Sequence, residues 1–147
     1  MRCNTLAAVL SAVLIAGCDA GKPVVTSIVF DGDAHSISAG SVVCYQDPAG
    51  ILVILVRDKQ SRTVRIQLTQ VGRIVVQRVG LRYGDISGFV ADPPEVTGTK
   101  VDDTYTVDGR MPPNPGESQW HTFKIETSCP GYQDSPPPKM EPQLGEP

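Results

Sequence analysis

Apolar residues along this chain recur mostly at every second position, the spacing of a strand with one face buried. Thr63 to Thr69 is the clearest case, with Val64, Ile66 and Leu68 pointing one way and Thr63, Arg65 and Gln67 the other. Trp120 to Cys129 repeats the pattern. There Phe123, Ile125, Thr127 and Cys129 share a face opposite Thr122, Lys124, Glu126 and Ser128. Val24 to Phe30 is rich in β-branched residues and, like Ser41 to Tyr45, reads as a further strand. Ile51 to Val56 does not alternate at all, and with Arg57 it makes a strand covered on both faces; its length and flanking turn signals argue against a helix. Arg73 to Val79, Leu81 to Tyr83 and Thr104 to Val107 complete the set of predicted strands.

Turn residues divide these segments. Asp31-Gly32-Asp33 and Asp47-Pro48-Ala49-Gly50 read as tight turns, and Gly72, Gly80 and Gly84 as breaks. Val90 to Thr99, with Asp92-Pro93-Pro94, reads as a loop. Asp108-Gly109 closes its strand, and Met111 to Gly116 is a proline loop. The pattern predicts a mainly β fold over residues 24–129, an antiparallel sandwich or strongly twisted sheet. An immunoglobulin pattern is absent, because Trp120 lies only nine residues before Cys129 and Thr127 holds the place of the expected tyrosine. From Pro130 no hydrophobic pattern survives, so 130–147 is expected to be a disordered, proline-rich tail.

The start of the chain is different in kind. Met1-Arg2 precedes an apolar run from Leu6 to Ala16, broken only by Ser11, and then Ile15-Ala16-Gly17-Cys18. A run of about eleven residues is too short to cross a hydrocarbon core that needs about twenty. The segment resembles a bacterial lipoprotein signal peptide with its lipobox. That resemblance implies removal of residues 1–17 and attachment of a diacylglyceryl group to the Cys18 thiol as a thioether. A plain secretory signal is the competing reading. Residues 18–23 would then form a short tether, holding the protein on the extracytoplasmic face of the cell membrane. One acyl chain anchors only marginally and two or more anchor stably, at about 0.8 kcal/mol per buried methylene.

Processing also sorts the four cysteines. Cys3 leaves with the signal peptide and Cys18 is taken by lipid. Cys44 and Cys129 remain in a compartment where disulfides persist, and with two thiols only one pairing is left. Neither belongs to a Cys-x-x-Cys pair and the only histidines are His35 and His121, which leaves no metal site or thiol catalysis in view.

Charge is laid out unevenly. The net formal charge is −3, yet Arg57, Lys59, Arg62, Arg65, Arg73, Arg78 and Arg82 fall in one stretch against a single acid, Asp58. A solvated sheet face is the plainer reading of that stretch. The functional reading is a contact with anionic lipid head groups or acidic envelope glycans. Nucleic acid is excluded by compartment and by the scarcity of aromatics. Motifs of catalytic serines, zinc proteases and phosphate-cradling loops are missing, so no catalytic residue and no cofactor is assigned. His121 reads as structural or surface, and Asp31-x-Asp33 as a hairpin turn rather than a calcium loop.

Several local patterns then converge. Gly40-Ser41-Val42-Val43-Cys44, the preceding Ile28 to Asp33, Tyr105-Thr106-Val107-Asp108-Gly109 and Phe123-x-Ile125-x-x-x-Cys129 stand in an order that resembles the mycobacterial LpqH-type lipoprotein antigens. The resemblance covers roughly residues 1 to 130. It implies a membrane-tethered surface antigen with one disulfide, no enzymatic activity, and a host pattern-recognition receptor as partner through the acylated N-terminus. Two departures stand out: the Thr/Ser/Ala-rich glycan-bearing segment is cut down to Asp19–Pro23, and a proline-rich tail is added. A second function class, an envelope lipid- or glycolipid-binding module, would use an apolar pocket or the basic strands. No small-molecule ligand can be named from the residues.

Overall fold

Alternation of this strength calls for two sheets packed face to face, and that is the arrangement found. The computed structural model describes residues 23–39 and 41–137. Every regular element among them is a strand: β1 (Val24–Phe30), β2 (Asp33–Ala39), β3 (Ser41–Gln46), β4 (Ile51–Arg57), β5 (Thr63–Thr69), β6 (Val75–Tyr83), β7 (Ile86–Ala91), β8 (Thr97–Val101), β9 (Thr104–Met111) and β10 (His121–Ser128). They form two antiparallel five-stranded sheets, ordered β2-β1-β10-β9-β8 and β3-β4-β5-β6-β7. These are called the β1 sheet and the β4 sheet below.

The inward residues of each strand make one core. Leu52, Ile54 and Val56 of β4 and Val64, Ile66 and Leu68 of β5 belong to the same buried cluster as Ile28, Phe30, Val107, Phe123 and Ile125 of the facing sheet. Two buried threonines sit in this interior at no cost in unmet hydrogen bonds, because Thr26 and Thr127 bond each other at 2.7 Å. The Cys44–Cys129 disulfide joins β3 to the residue after β10, with Cα atoms 5.9 Å apart, and so links the two sheets. The expected mainly-β fold with one staple is the fold observed.

Three strands are additional to those read from the sequence: β2, β7 and β8. All three are sheet edges. An edge strand has one neighbour and buries little, so its pattern is weak. Val90 to Thr99 is therefore not a continuous loop, since β7 runs to Ala91 and β8 begins at Thr97. The first turn is tighter than expected. Asp31 (φ 50°) and Gly32 (φ 90°) are its two left-handed residues, while Asp33 already pairs with Phe30 in β2. Asp108-Gly109 does not end β9, which continues to Met111, and Gly80 does not break β6.

The tail also departs from expectation in its first part. The Gln133 N–H donates to the Cys44 carbonyl at 2.8 Å, Gln133 pairs in parallel with Tyr45, and Pro137 is buried. The Tyr132 and Tyr105 hydroxyls lie 2.8 Å apart. The disulfide delivers Pro130 to the free edge of β3, whose unpaired backbone groups need partners. Residues 138–147, the signal segment, Cys18 and the tether through Lys22 lie outside the described residues.

Candidate functional site

Alternation in β4 to β6 decides where the basic residues go. Arg57 follows the parity of Val53 and Leu55, Arg65 opposes Val64 and Ile66, and Arg78 and Arg82 oppose Val79 and Leu81. All four guanidinium groups are therefore on the outer face of the β4 sheet. Register places Ser41, Arg57, Thr63, Arg82 and Ser87 in one row across the sheet. The next row is Val43, Leu55, Arg65, Gly80 and Phe89. With neighbouring strands about 4.8 Å apart, Arg57 and Arg82 stand about 10 Å from each other. That distance is about one Debye length at physiological salt, so their fields add.

No Asp or Glu occurs in any strand of the β4 sheet. The acids near it, Asp47, Asp58, Asp85 and Asp92, lie in its turns and in the loop that leaves β7. The β3–β4 side of the same face is apolar. Val53 and Leu55 point outward yet are buried, flanked in register by Tyr45 and Gln67 and by Val43 and Arg65. Long polar side chains can cover such positions with their aliphatic stems while their heads stay in water. Gln67 is fixed there by a 2.9 Å hydrogen bond from its Nε2 to Gln77 Oε1, across the bulge in β6.

The seven basic residues of the stretch are thus not one surface. Arg62 is engaged in the β4–β5 turn, where its guanidinium bonds Asp58, donates to the Tyr83 hydroxyl at 2.9 Å and lies over the Tyr83 ring. Its bond to Asp58, more than that to Tyr83, raises its pKa further against the opposing pull of burial. Burial works to raise the Asp58 carboxyl. The Arg62 N–H and guanidinium and the Gln60 N–H outweigh it and hold the acid below the ordinary carboxylate range. Lys59 is exposed in that turn, beside the Arg57 row. Arg73 lies in the β5–β6 connection, at the opposite end of the sheet.

Chain geometry relates this face to the N-terminus. Val24, the first residue of β1, pairs with Ala39, two residues before Ser41, which is in register with Arg57. The chain therefore enters the fold at the end of the β4 sheet that carries Arg57, Arg82 and the 58–62 turn.

The two histidines are both held in place. His121 donates to Asp31 Oδ2 at 2.7 Å through Nδ1 and to Glu117 Oε2 at 2.6 Å through Nε2, and it stacks on Phe30. The Asp31 hydrogen bond is the main cause that raises its pKa, with Glu117 adding and burial opposing. This clamp ties the β1–β2 turn to the loop before β10. Its pairing of residues 31 and 121 was not legible in the chain, because ninety positions separate them. His35 tilts against the Tyr83 ring at 4.8 Å, and its Nε2 is buried without a hydrogen-bond partner. Among the described residues no group of three or more His, Cys, Asp and Glu is arranged to hold a metal ion.

A search of curated proteins finds no relative of this chain. A family model does match, described as the Mycobacterium 19 kDa lipoprotein antigen, over residues 19–129. The match runs from the residue after Cys18 through Cys129, so it covers both sheets and the disulfide that joins them. On that span the chain belongs to the Mycobacterium 19 kDa lipoprotein antigen family.

Proposed function

We propose that this protein is a non-catalytic envelope lipoprotein, anchored through acylated Cys18, whose β4 sheet rests on anionic lipid head groups. The observation that carries this reading is the acid-free β4 sheet with four outward arginines, at whose Arg57 end the chain enters the fold. Residues 18–23 can span at most about 20 Å when extended. A tether of that length keeps the Arg57 row within reach of the surface that holds the lipid. Recognition by a host receptor through the acylated N-terminus fits the same arrangement, because the acyl group and not the domain would be the recognised element.

The lipid-carrier alternative needs an apolar cavity between the sheets. The core cluster occupies that space with interlocked Ile, Leu, Val and Phe side chains, which favours surface contact over carriage.

The test uses Cys18→Ser protein, so that binding reads the domain and not the anchor. Sedimentation with zwitterionic vesicles and with vesicles containing anionic lipid should show binding to the anionic set only. Replacing Arg57, Arg65 and Arg82 by Ser should weaken it about 100-fold, at roughly 1 kcal/mol per charge near the surface. Unchanged binding in this triple variant removes the proposal.

A further inference from the structure

A cleft of about 410 Å³ opens at the β7 edge, where Phe89 ends the Arg65 row and Ala91 pairs with Arg78, and none of the four outward arginines lines it. It lies in the usual size range of small-ligand sites, about 300 to 1,000 Å³. Its walls are rigid rings, Phe89, Pro93, Pro94 and Pro112, and its rim is formed by Trp120, Arg110 and Glu95. Trp120 is the only tryptophan of an aromatic-poor chain and it is 54% exposed, although ample buried positions exist in the sandwich. The Arg110 guanidinium lies over one face of its ring at 5.3 Å and is itself paired with Glu95, Nε to Oε2 at 2.7 Å.

We propose that this cleft binds a neutral saccharide, with one sugar face stacked on Trp120 and ring hydroxyls bonded to Arg110 and Glu95. The rim charges cancel, so a charged ligand would have to break the Arg110–Glu95 pair. The donor and acceptor inventory selects further. Arg110 offers only donors and ionised Glu95 only acceptors. An acyl chain satisfies neither. A proline-rich peptide presents carbonyl acceptors for Arg110 but no N–H for Glu95 at its prolines. Vicinal hydroxyls both donate and accept, so a sugar satisfies both groups at once. The aliphatic C–H bonds on a sugar face carry slight positive charge and meet the negative face of the indole.

The site is also built in advance. Gly109 lets β9 pass directly beneath the rim, since a Cβ there would stand 2.3 Å from the Glu95 carbonyl oxygen. Asn114 Nδ2 donates to the Ser87 carbonyl at 2.9 Å and so pins the loop before β10 to the edge of β7. His121, next to Trp120, is clamped between Asp31 and Glu117. Rigid placement of this kind lowers the ordering cost of binding.

Because Trp120 is unique, its emission reports on this site alone. The full chain, in zwitterionic detergent, is titrated with neutral gluco-, manno- and galacto-configured disaccharides. At least one should shift the emission saturably, with a Kd of about 1 mM. Saturation-transfer NMR should show the contact on C–H protons of one sugar face. Glu95→Gln should weaken binding about tenfold, and Trp120→Ala should abolish the NMR contact while the melting temperature stays within a few degrees. The proposal is overturned if no sugar of the panel shifts the emission at about 10 mM, ten times that Kd. It is equally overturned if the contact persists in Trp120→Ala, or if a peptide of residues 134–147 binds at Trp120 and the sugars do not.

Discussion

The two sheets of this sandwich share a core but present opposite chemistry to the outside. Strands of the β4 sheet contain four arginines, Arg57, Arg65, Arg78 and Arg82, and no acid. Strands of the β1 sheet contain Lys100, Arg110 and Lys124 against Asp33, Asp108 and Glu126, so their charges cancel. They carry eleven Ser and Thr residues where the β4 sheet carries four, counted over the same strand ranges. Several of those hydroxyls are used between strands, as in Thr104–Ser128 at 2.9 Å and Thr97 to Asp108 Oδ1 at 3.1 Å. Such pairs hold a half-exposed sheet together without adding charge. One sheet is a neutral, hydrogen-bonded face and the other a cationic one with an apolar strip. The difference teaches that the −3 net charge of the chain says little about any one surface.

The sharpest way to break the comparison is to separate the sheets. Cys44→Ser with Cys129→Ser removes the disulfide cross-link between them, which closes a loop spanning 85 positions. The double variant should lose about 2 to 5 kcal/mol in denaturant unfolding. It should also free the 130–137 segment from β3, which hydrogen exchange at the Gln133 N–H would detect. Unaltered protection there would show that backbone pairing, rather than the disulfide, places the tail.

A smaller effect is expected within the β1 sheet. Thr127→Val keeps the shape but leaves the Thr26 hydroxyl buried without a partner. The expected cost is about 1 to 3 kcal/mol, and replacing Thr26 by Val as well should recover part of it. An equivalent swap at outward Thr69 of the β4 sheet, which is only half-buried, should stay within about 0.5 kcal/mol.

The smallest effect concerns pH at the His121 clamp. The His121 pKa is raised in the folded protein, so its contribution is complete below the unfolded value of 6.5 and is lost as pH rises through the folded value. For Asp31, burial pushes the carboxyl up, but the His121 and Thr122 hydrogen bonds outweigh it, and the net shift is downward. Glu117 is lowered mainly by its bond to His121. Those acids contribute above their unfolded values of 3.8 and 4.5 and lose that contribution as pH falls through the folded values. The clamp is therefore strongest between about pH 4.5 and 6.5. The melting-temperature difference between the wild type and His121→Gln should be greatest near pH 5 to 6 and shrink as pH rises through the folded His121 value. A constant difference across that range would show that ring stacking on Phe30, not charge, holds the loop.

Legibility followed burial. β5 and β10 could be read residue by residue because each sits between two neighbours and buries one whole face. β4 showed as an unbroken apolar run for a related reason, since its outward Val53 and Leu55 are covered as well. The strands that escaped reading, β2, β7 and β8, are edges. β8 illustrates the cause: Thr97-Gly98-Thr99-Lys100-Val101 buries no residue fully and owes its conformation to pairing with β9. The basic stretch was visible as a stretch, but its members serve different ends. Arg62 is held by Asp58 and Tyr83, and Arg73 is carried to the far end of the sheet, so neither belongs with the Arg57–Arg82 row. The cleft at Trp120 gave no signal beyond an unplaced tryptophan, because its lining comes from three separate segments of chain, 89–95, 110–112 and 120.

By itself the sequence determined which residues face inward, because alternation is a local property of a strand and needs no partner to be defined. It also pointed to Cys44 and Cys129 as the pair, on the expectation that processing removes Cys3 and acylates Cys18. Tertiary structure alone decided which strands are neighbours, and hence that four arginines share one face without an acid among them. It alone placed Asp31 beside His121 and Glu95 beneath Arg110. Register and edge pairing arise from contacts between distant segments, and no local pattern encodes them.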